Sequence, residues 1–203
     1  MDAINIIAAI ALLLSIVANS YAAKSGLKRS VTKSERKPST YLQKAPLNVS
    51  ALILILQLIG VFQIGTLDYQ GETQYFRIGG LLIFGIFSWL QVKSFKNLKG
   101  FYTQEISLQK NHQLITTGIH KSIRHPQYLS QILSDLGFGV ALMSNLEFDI
   151  VLLGYIIIPL VVFVELPLFI LRARREEKMM TDFFGKKYEE YQKKSGFIIP
   201  FIG

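Results

Sequence analysis

Three histidines, His112, His120 and His125, fall in one short stretch, and the third belongs to the string Arg124-His125-Pro126-Gln127-Tyr128. Proline lacks a backbone donor and suits the first turn of a helix, so Pro126 places His125 at a helix entrance. Unpaired N–H groups at such an entrance favour an anionic ligand group. A second cluster, Arg172-Ala173-Arg174-Arg175-Glu176-Glu177, sets Arg172 and Glu176 four residues apart, on one helical face. A guanidinium there could hold a carboxylate by two hydrogen bonds. The carboxylates and imidazoles could instead take a proton from an amine or a thiol. Each cluster alone also has a plainer reading. Arg124, His125 and Tyr128 could anchor a helix among lipid headgroups, and Arg172 with Glu176 could be a surface ion pair. The chain has no cysteine, which excludes a disulfide framework and a thiolate metal site, and no metal site is expected.

The elements that must position these groups are membrane spans. Half of the 203 residues are hydrophobic, yet the net charge is +8, a pairing that suits apolar spans joined by basic loops. A nucleic-acid binder would spread its Lys and Arg over a folded face, so no nucleic acid is expected as a partner. Stretches of about 20 apolar residues mark spans near 4–23, 47–66, 75–92, 128–143 and 148–171. The segment before the first holds Asp2 and no basic residue, which favours a retained helix over a signal peptide. Polar joints fall at Lys24–Pro46, Asp68–Glu72, Lys93–Gln127 and Asn145–Glu147. In the tail, 172–203, Phe183, Phe184, Tyr188 and Tyr191 give an apolar face suited to the membrane surface. With five spans, all of the 22 Lys and Arg except Arg77 lie on one side. The positive-inside rule then puts the amino terminus outside and the carboxyl terminus in the cytoplasm, without distinguishing a bacterial inner membrane from the endoplasmic reticulum. Asp135 and Glu165 fall within spans, where ionisable groups are costly and are functional candidates. Pro159 and Pro167 should bend the fifth span, and Gly79, Gly80 and Gly85 suggest close helix packing in the third.

The two clusters together resemble a known family. The string His112-x-Leu114-Ile115-x-x-Gly118-Ile119, then Arg124-His125-Pro126-x-Tyr128, is similar to the isoprenylcysteine carboxyl methyltransferases. So is Arg172-x-x-x-Glu176-Glu177, followed by Phe184-Gly185-x-x-Tyr188-x-x-Tyr191 and Ile199-Pro200-Phe201. The resemblance runs from about Leu98 to the end; the earlier spans match only in hydrophobicity. It implies a single-domain, all-α, polytopic membrane enzyme over 1–203, with a cytoplasmic cofactor pocket made by the 93–127 loop and the tail. It also implies S-adenosylmethionine as methyl donor and a lipophilic or prenylated acceptor beside membrane lipid. Carried over residue by residue, cofactor contacts fall on His112, Gln113, Leu114, Ile115, His120, His125, Pro126, Gln127, Tyr128 and Glu176, and substrate orientation on Arg172. Two of the family's cofactor positions, commonly Gln and Tyr, hold Glu105 and His120 here, and Leu98-Lys99 before Tyr102-Thr103 stands where the family has Leu-Gly before Trp-Ser. These departures suggest a divergent acceptor, with a phospholipid amine or another small lipophilic molecule competing with a prenylated cysteine. Membrane sterol reductases share an Arg-His-Pro-x-Tyr motif and bind NADPH, but their chains are longer and their tail has Arg-Asp-Glu where this one has Arg175-Glu176-Glu177. A non-catalytic scaffold holding anionic headgroups is the remaining alternative.

Overall fold

A computed structural model describes residues 3–30, 34–36, 40–64, 73–98, 101, 106–109, 112–143, 153–200 and 202. The turns at Asp68–Glu72 and Asn145–Glu147, together with Asp2, Lys99, Tyr102, Thr103, Glu105 and Phe201, lie outside the described residues. The fold is helical: α1 (Ala3–Ser30), α2 (Ala45–Ile64), α3 (Thr73–Asn97), α4 (Pro126–Ala141), α5 (Leu153–Leu160), α6 (Leu166–Phe184) and α7 (Lys186–Gln192). Its one described ribbon pairs β1 (Ser34–Arg36) antiparallel with β2 (Leu108–Gln109).

Among the described residues, three stretches are long and apolar enough to cross a membrane: Tyr41–Val61, Thr73–Asn97 and Leu153–Phe184. Their outward faces carry Ile55, Leu82, Ile86 and Phe163, all exposed, as expected where lipid replaces water. The 16-residue α4 is shorter than a bilayer needs. It is also the buried centre of the bundle, with Phe138 and Leu142 fully enclosed. In α1 the described apolar stretch, Ala9–Ala18, is also short.

The closest helix contact is α3 on α4. A side chain at Gly80 would run into the backbone of Gly137 and Ala141, and one at Gly137 would meet the backbone of Phe84 at 2.7 Å. Gly79 and Gly85 face open space, so of the three glycines in this span Gly80 is the one that packing requires.

The fifth span and the first part of the tail form one continuous helix. Between Pro159 and Pro167 the winding relaxes to a π turn over Val161–Glu165, because each proline removes an N–H from the ladder and crowds the preceding turn. The helix ends only at Gly185, whose φ of +55° suits glycine and whose N–H caps the Thr181 carbonyl.

Of the tail's aromatic face, Phe183 is exposed and Phe184 half-buried, whereas the two tyrosines turn inward. Tyr188 and Tyr191 are buried, and the Tyr191 hydroxyl donates to the His120 carbonyl at 2.5 Å. Amphipathic spacing fixes which residues share a face; it does not say whether lipid or protein covers them.

Candidate active site

Residues 106–109 and 112–125, the turn before α2, and α6 with α7 meet at one end of the bundle. Pro126 opens α4 at its first position, and His125 before it has the extended φ of −120° that a residue preceding proline prefers. Two backbone bonds fasten this entrance to the tail: Arg124 N–H to the Gly196 carbonyl at 2.9 Å, and His125 N–H to the Phe197 carbonyl at 3.1 Å. The Arg124 side chain completes the clamp. Its Nε donates to Glu177, and its NH1 donates to the carbonyls of Gln192 and Ser195.

One turn further along α4, Tyr128 faces α6. Its hydroxyl donates to Glu176 Oε1 at 2.6 Å and accepts from Arg172 Nε at 2.8 Å, while Arg172 Nε also reaches Glu176 Oε1 at 3.1 Å. Arg172 is only 3 % exposed, so this is no surface ion pair. Its NH1 lies 3.5 Å from the carbonyls of Leu42 and Gln43.

His125 stacks on Tyr128, with planes 1° apart and centroids at 5.5 Å. Tyr128 stacks in turn on Phe169 at 4.6 Å. The two imidazole nitrogens of His125 face two carboxylates, Glu176 at 3.7 Å and Glu177 at 3.4 Å. The entrance motif and the Arg172–Glu177 cluster therefore share one site.

The other histidines sit nearby. Asn97 spends both amide hydrogens here, on the Thr117 carbonyl at 2.6 Å and on His120 Nδ1 at 2.9 Å. An accepting Nδ1 leaves the proton of neutral His120 on Nε2, a buried atom with no hydrogen-bond partner among the described residues. Burial, and then the neighbouring His125, push the His120 pKa down to about 4. Gly118 makes the preceding turn at φ +61°, where a side chain would collide with Asn97. His112 lies between the rings of Phe101 and Phe184; burial lowers its pKa as well, and its Nδ1 has no described partner.

A cavity of about 510 Å³ joins these groups and continues between α1, α2, α3 and α4. It is lined by His112, Gln113, Leu114, Ile115, His120, His125, Gln127, Tyr128, Arg172 and Glu176. Pro126 is buried at the helix start and does not line the cavity, so its contribution is to aim its neighbours.

Residues 80–182, about half the chain, match the model of the isoprenylcysteine carboxyl methyltransferase (ICMT) family. The chain belongs to this family. Among similar proteins, the protein-S-isoprenylcysteine O-methyltransferase of Schizosaccharomyces pombe is 29% identical over 152 residues, covering 73% of this chain and 54% of that protein. The protein of the same name in Saccharomyces cerevisiae is 34% identical over 46% of this chain and 35% of its own length. A probable protein-S-isoprenylcysteine O-methyltransferase of Oryza sativa is 32% identical over 48% of this chain and 46% of its own length. The chain thus spans about half the length of these relatives, or less.

Some of the site lies outside the stretch that matches the ICMT family. Gln43 donates through Nε2 to the Ile106 carbonyl at 2.9 Å and accepts the Ile106 N–H at 2.7 Å, so it pairs with backbone as a strand would. Sequence reading did not single out Gln43 or Asn97, because both read main chain whose position is set by folding. Glu177 was visible beside Glu176, but its bond to Arg124 was not.

Proposed function

We propose that this chain transfers a methyl group from S-adenosylmethionine to a lipophilic acceptor at the rim cavity, with a carboxylate such as that of an isoprenylcysteine as the group methylated. The observation that carries this is the joined set of Arg172, Tyr128, Glu176 and His125, on a cavity that runs on into the helix bundle, in a member of the ICMT family. The names of the relatives, protein-S-isoprenylcysteine O-methyltransferase, support the acceptor class.

The lining fits the cofactor on physical grounds. The unmatched Nε2–H of His120 and Nδ1 of His112 are buried polar atoms that call for a partner, and about 510 Å³ falls within the usual range for small-molecule sites. His112 to Ile115, His120, His125, Gln127, Tyr128 and Glu176 would hold it, with Pro126 fixing the helix entrance. When bound, the sulfonium supplies an already activated methyl group, so little acid–base work falls to the protein. What remains is alignment, and orientation of reacting groups is worth several kcal/mol.

Arg172 is placed for that task. Its NH1 contacts to Leu42 and Gln43 are long, so an acceptor carboxylate can displace them and take a two-point hydrogen bond. Tyr128 and Glu176 fix the guanidinium plane while this happens. A carboxylate acceptor has no proton to lose, and His125 between Glu176 and Glu177 then serves to position those carboxylates.

The basic segments gathered at this end of the bundle support a cytoplasmic site and carboxyl terminus, with the amino terminus outside. Titrating the purified chain with S-adenosylmethionine, and following labelled methyl transfer to a prenylated cysteine, tests the proposal. Saturable binding of NADPH with none for S-adenosylmethionine overturns it.

A further inference from the structure

Deep in the bundle the same cavity is not lined as a hydrocarbon tunnel would be. Beyond Tyr128, α4 presents Gln131 and Asp135 three and seven residues on, hence on the same face. Gln57 from α2 and Gln91 from α3 converge on them. Gln57 Nε2 donates to Asp135 Oδ1 at 2.7 Å, Gln131 Nε2 donates to Asp135 Oδ2 at 2.6 Å, and Gln91 Nε2 donates to Gln131 Oε1 at 2.5 Å. All four side chains line the cavity. Behind them the π turn holds Glu165, fully buried. Ser50, itself a lining residue, donates to Glu165 Oε1 at 2.6 Å, and Oε2 has no hydrogen-bond partner among the described residues. The Glu165 and Asp135 carboxyls are close enough to interact.

Polar groups that only glue helices together close on themselves. This network opens onto a cavity, with Glu165 behind it and outside the lining. The bonds named use one hydrogen of each amide and one site on each Asp135 oxygen, whereas an amide nitrogen has two hydrogens and a carboxylate about four acceptor sites. A plain hydrocarbon chain would bury that capacity without partners, which is costly.

The geometry points to a second recognition point for the acceptor, inside the bundle: a hydrogen-bond donor, hydroxyl or amine, carried on its otherwise apolar chain and received by Asp135, Gln57 and Gln91. The inference rests on the methyl-transfer reading. Asp135 is seven residues past Tyr128, about 10 Å along the helix axis, so the donor sits roughly that far from the methylated end. Within the lipophilic carboxylates proposed above, the preferred acceptor is then one whose prenyl or alkyl chain carries such a donor.

The test uses the full chain in lipid nanodiscs and three radiolabelled S-alkyl thioether carboxylates. One has a plain chain, one a mid-chain hydroxyl, and one a mid-chain primary amine. Binding is measured directly, and methyl transfer to each is followed separately. The hydroxyl or the amine analogue is expected to bind about tenfold tighter than the plain one, the worth of one buried hydrogen bond. Gln57→Leu and Asp135→Asn should each shrink that preference, read as the ratio of polar to plain affinity within each variant, and the stronger of the two polar analogues identifies the donor. Equal binding of all three by the unaltered protein, or binding of none, overturns the inference, as does a preference that survives both substitutions. A preference that persists with no methyl transfer to any analogue leaves the recognition point standing and removes the methyl-transfer reading instead.

Discussion

Tyr128 on α4 donates its phenol hydrogen to Glu176 on α6 across 2.6 Å, and the same oxygen accepts from Arg172. Tyr128→Phe keeps the stacks on His125 and Phe169 and deletes this bridge. It should lower kcat/KM for methyl transfer by about tenfold, one hydrogen bond to a charged group. Thermal stability should hardly move. A fall in stability without a change in rate would make the bridge structural.

Arg172→Ala should reduce methyl transfer by about a hundredfold or more, roughly 3 kcal/mol of transition-state stabilisation, while affinity for S-adenosylmethionine stays within a few-fold. Arg172→Lys should fail to restore the rate, because an ammonium lacks the planar fork. Equilibrium binding of the donor and single-turnover rates separate the two effects. A matching loss of donor affinity would reassign this side chain to the cofactor.

His120 predicts a slope of stability with pH. In the unfolded chain it protonates near 6.5, whereas the fold keeps it neutral down to about 4. Between those values the unfolded state carries the extra proton, so stability falls as the pH drops from about 6.5 to about 4 and is level above that window. The loss approaches roughly 3 kcal/mol at the acid end. His112, shifted the same way by burial, adds to it. His120→Gln should flatten most of the slope in detergent melts recorded across this range, and an unchanged slope would place its origin elsewhere.

Gly80→Val should destabilise the bundle by about 3 kcal/mol or more, since the added carbons meet the α4 backbone and not a yielding side chain. Gly79→Ala and Gly85→Ala, which meet nothing within 4 Å, should be neutral or slightly stabilising. Melting temperatures of the three variants decide it.

Arg124→Ala removes one partner from the half-buried carboxylate of Glu177, leaving it the Gln192 amide at 3.1 Å, and frees the carbonyls of Gln192 and Ser195. A loss of about 2–3 kcal/mol follows from deleting hydrogen bonds to a charged group. Limited proteolysis should then cut first near Lys193 and Lys194, and cleavage elsewhere with an intact tail would argue against the clamp.

The parts of this protein legible in its sequence are those set by local rules. Pro126 announces the start of α4, and the spacing of Arg172 and Glu176 announces one face; the fold brings that face to His125 as the paired motifs imply. Resemblance named the lining residues of the rim, Pro126 apart. What was not legible depends on partners remote in the chain. The π turn needs both prolines and also a packed environment for Glu165, supplied by Ser50, 115 residues away. The inward turn of Tyr188 and Tyr191 needs the His120 carbonyl. Gln57, Gln91 and Gln131 look like ordinary polar interruptions of apolar stretches until folding brings them onto Asp135.

Gln43 has a wider meaning. It stands ahead of the stretch that matches the family, residues 80–182, and holds Ile106 inside that stretch through main-chain atoms alone. The joint depends on the Gln43 side chain and not on that of Ile106, so a single amide ties the turn before α2 to the segment beside the cavity. Losing that amide would let the front of the molecule slip against the rear.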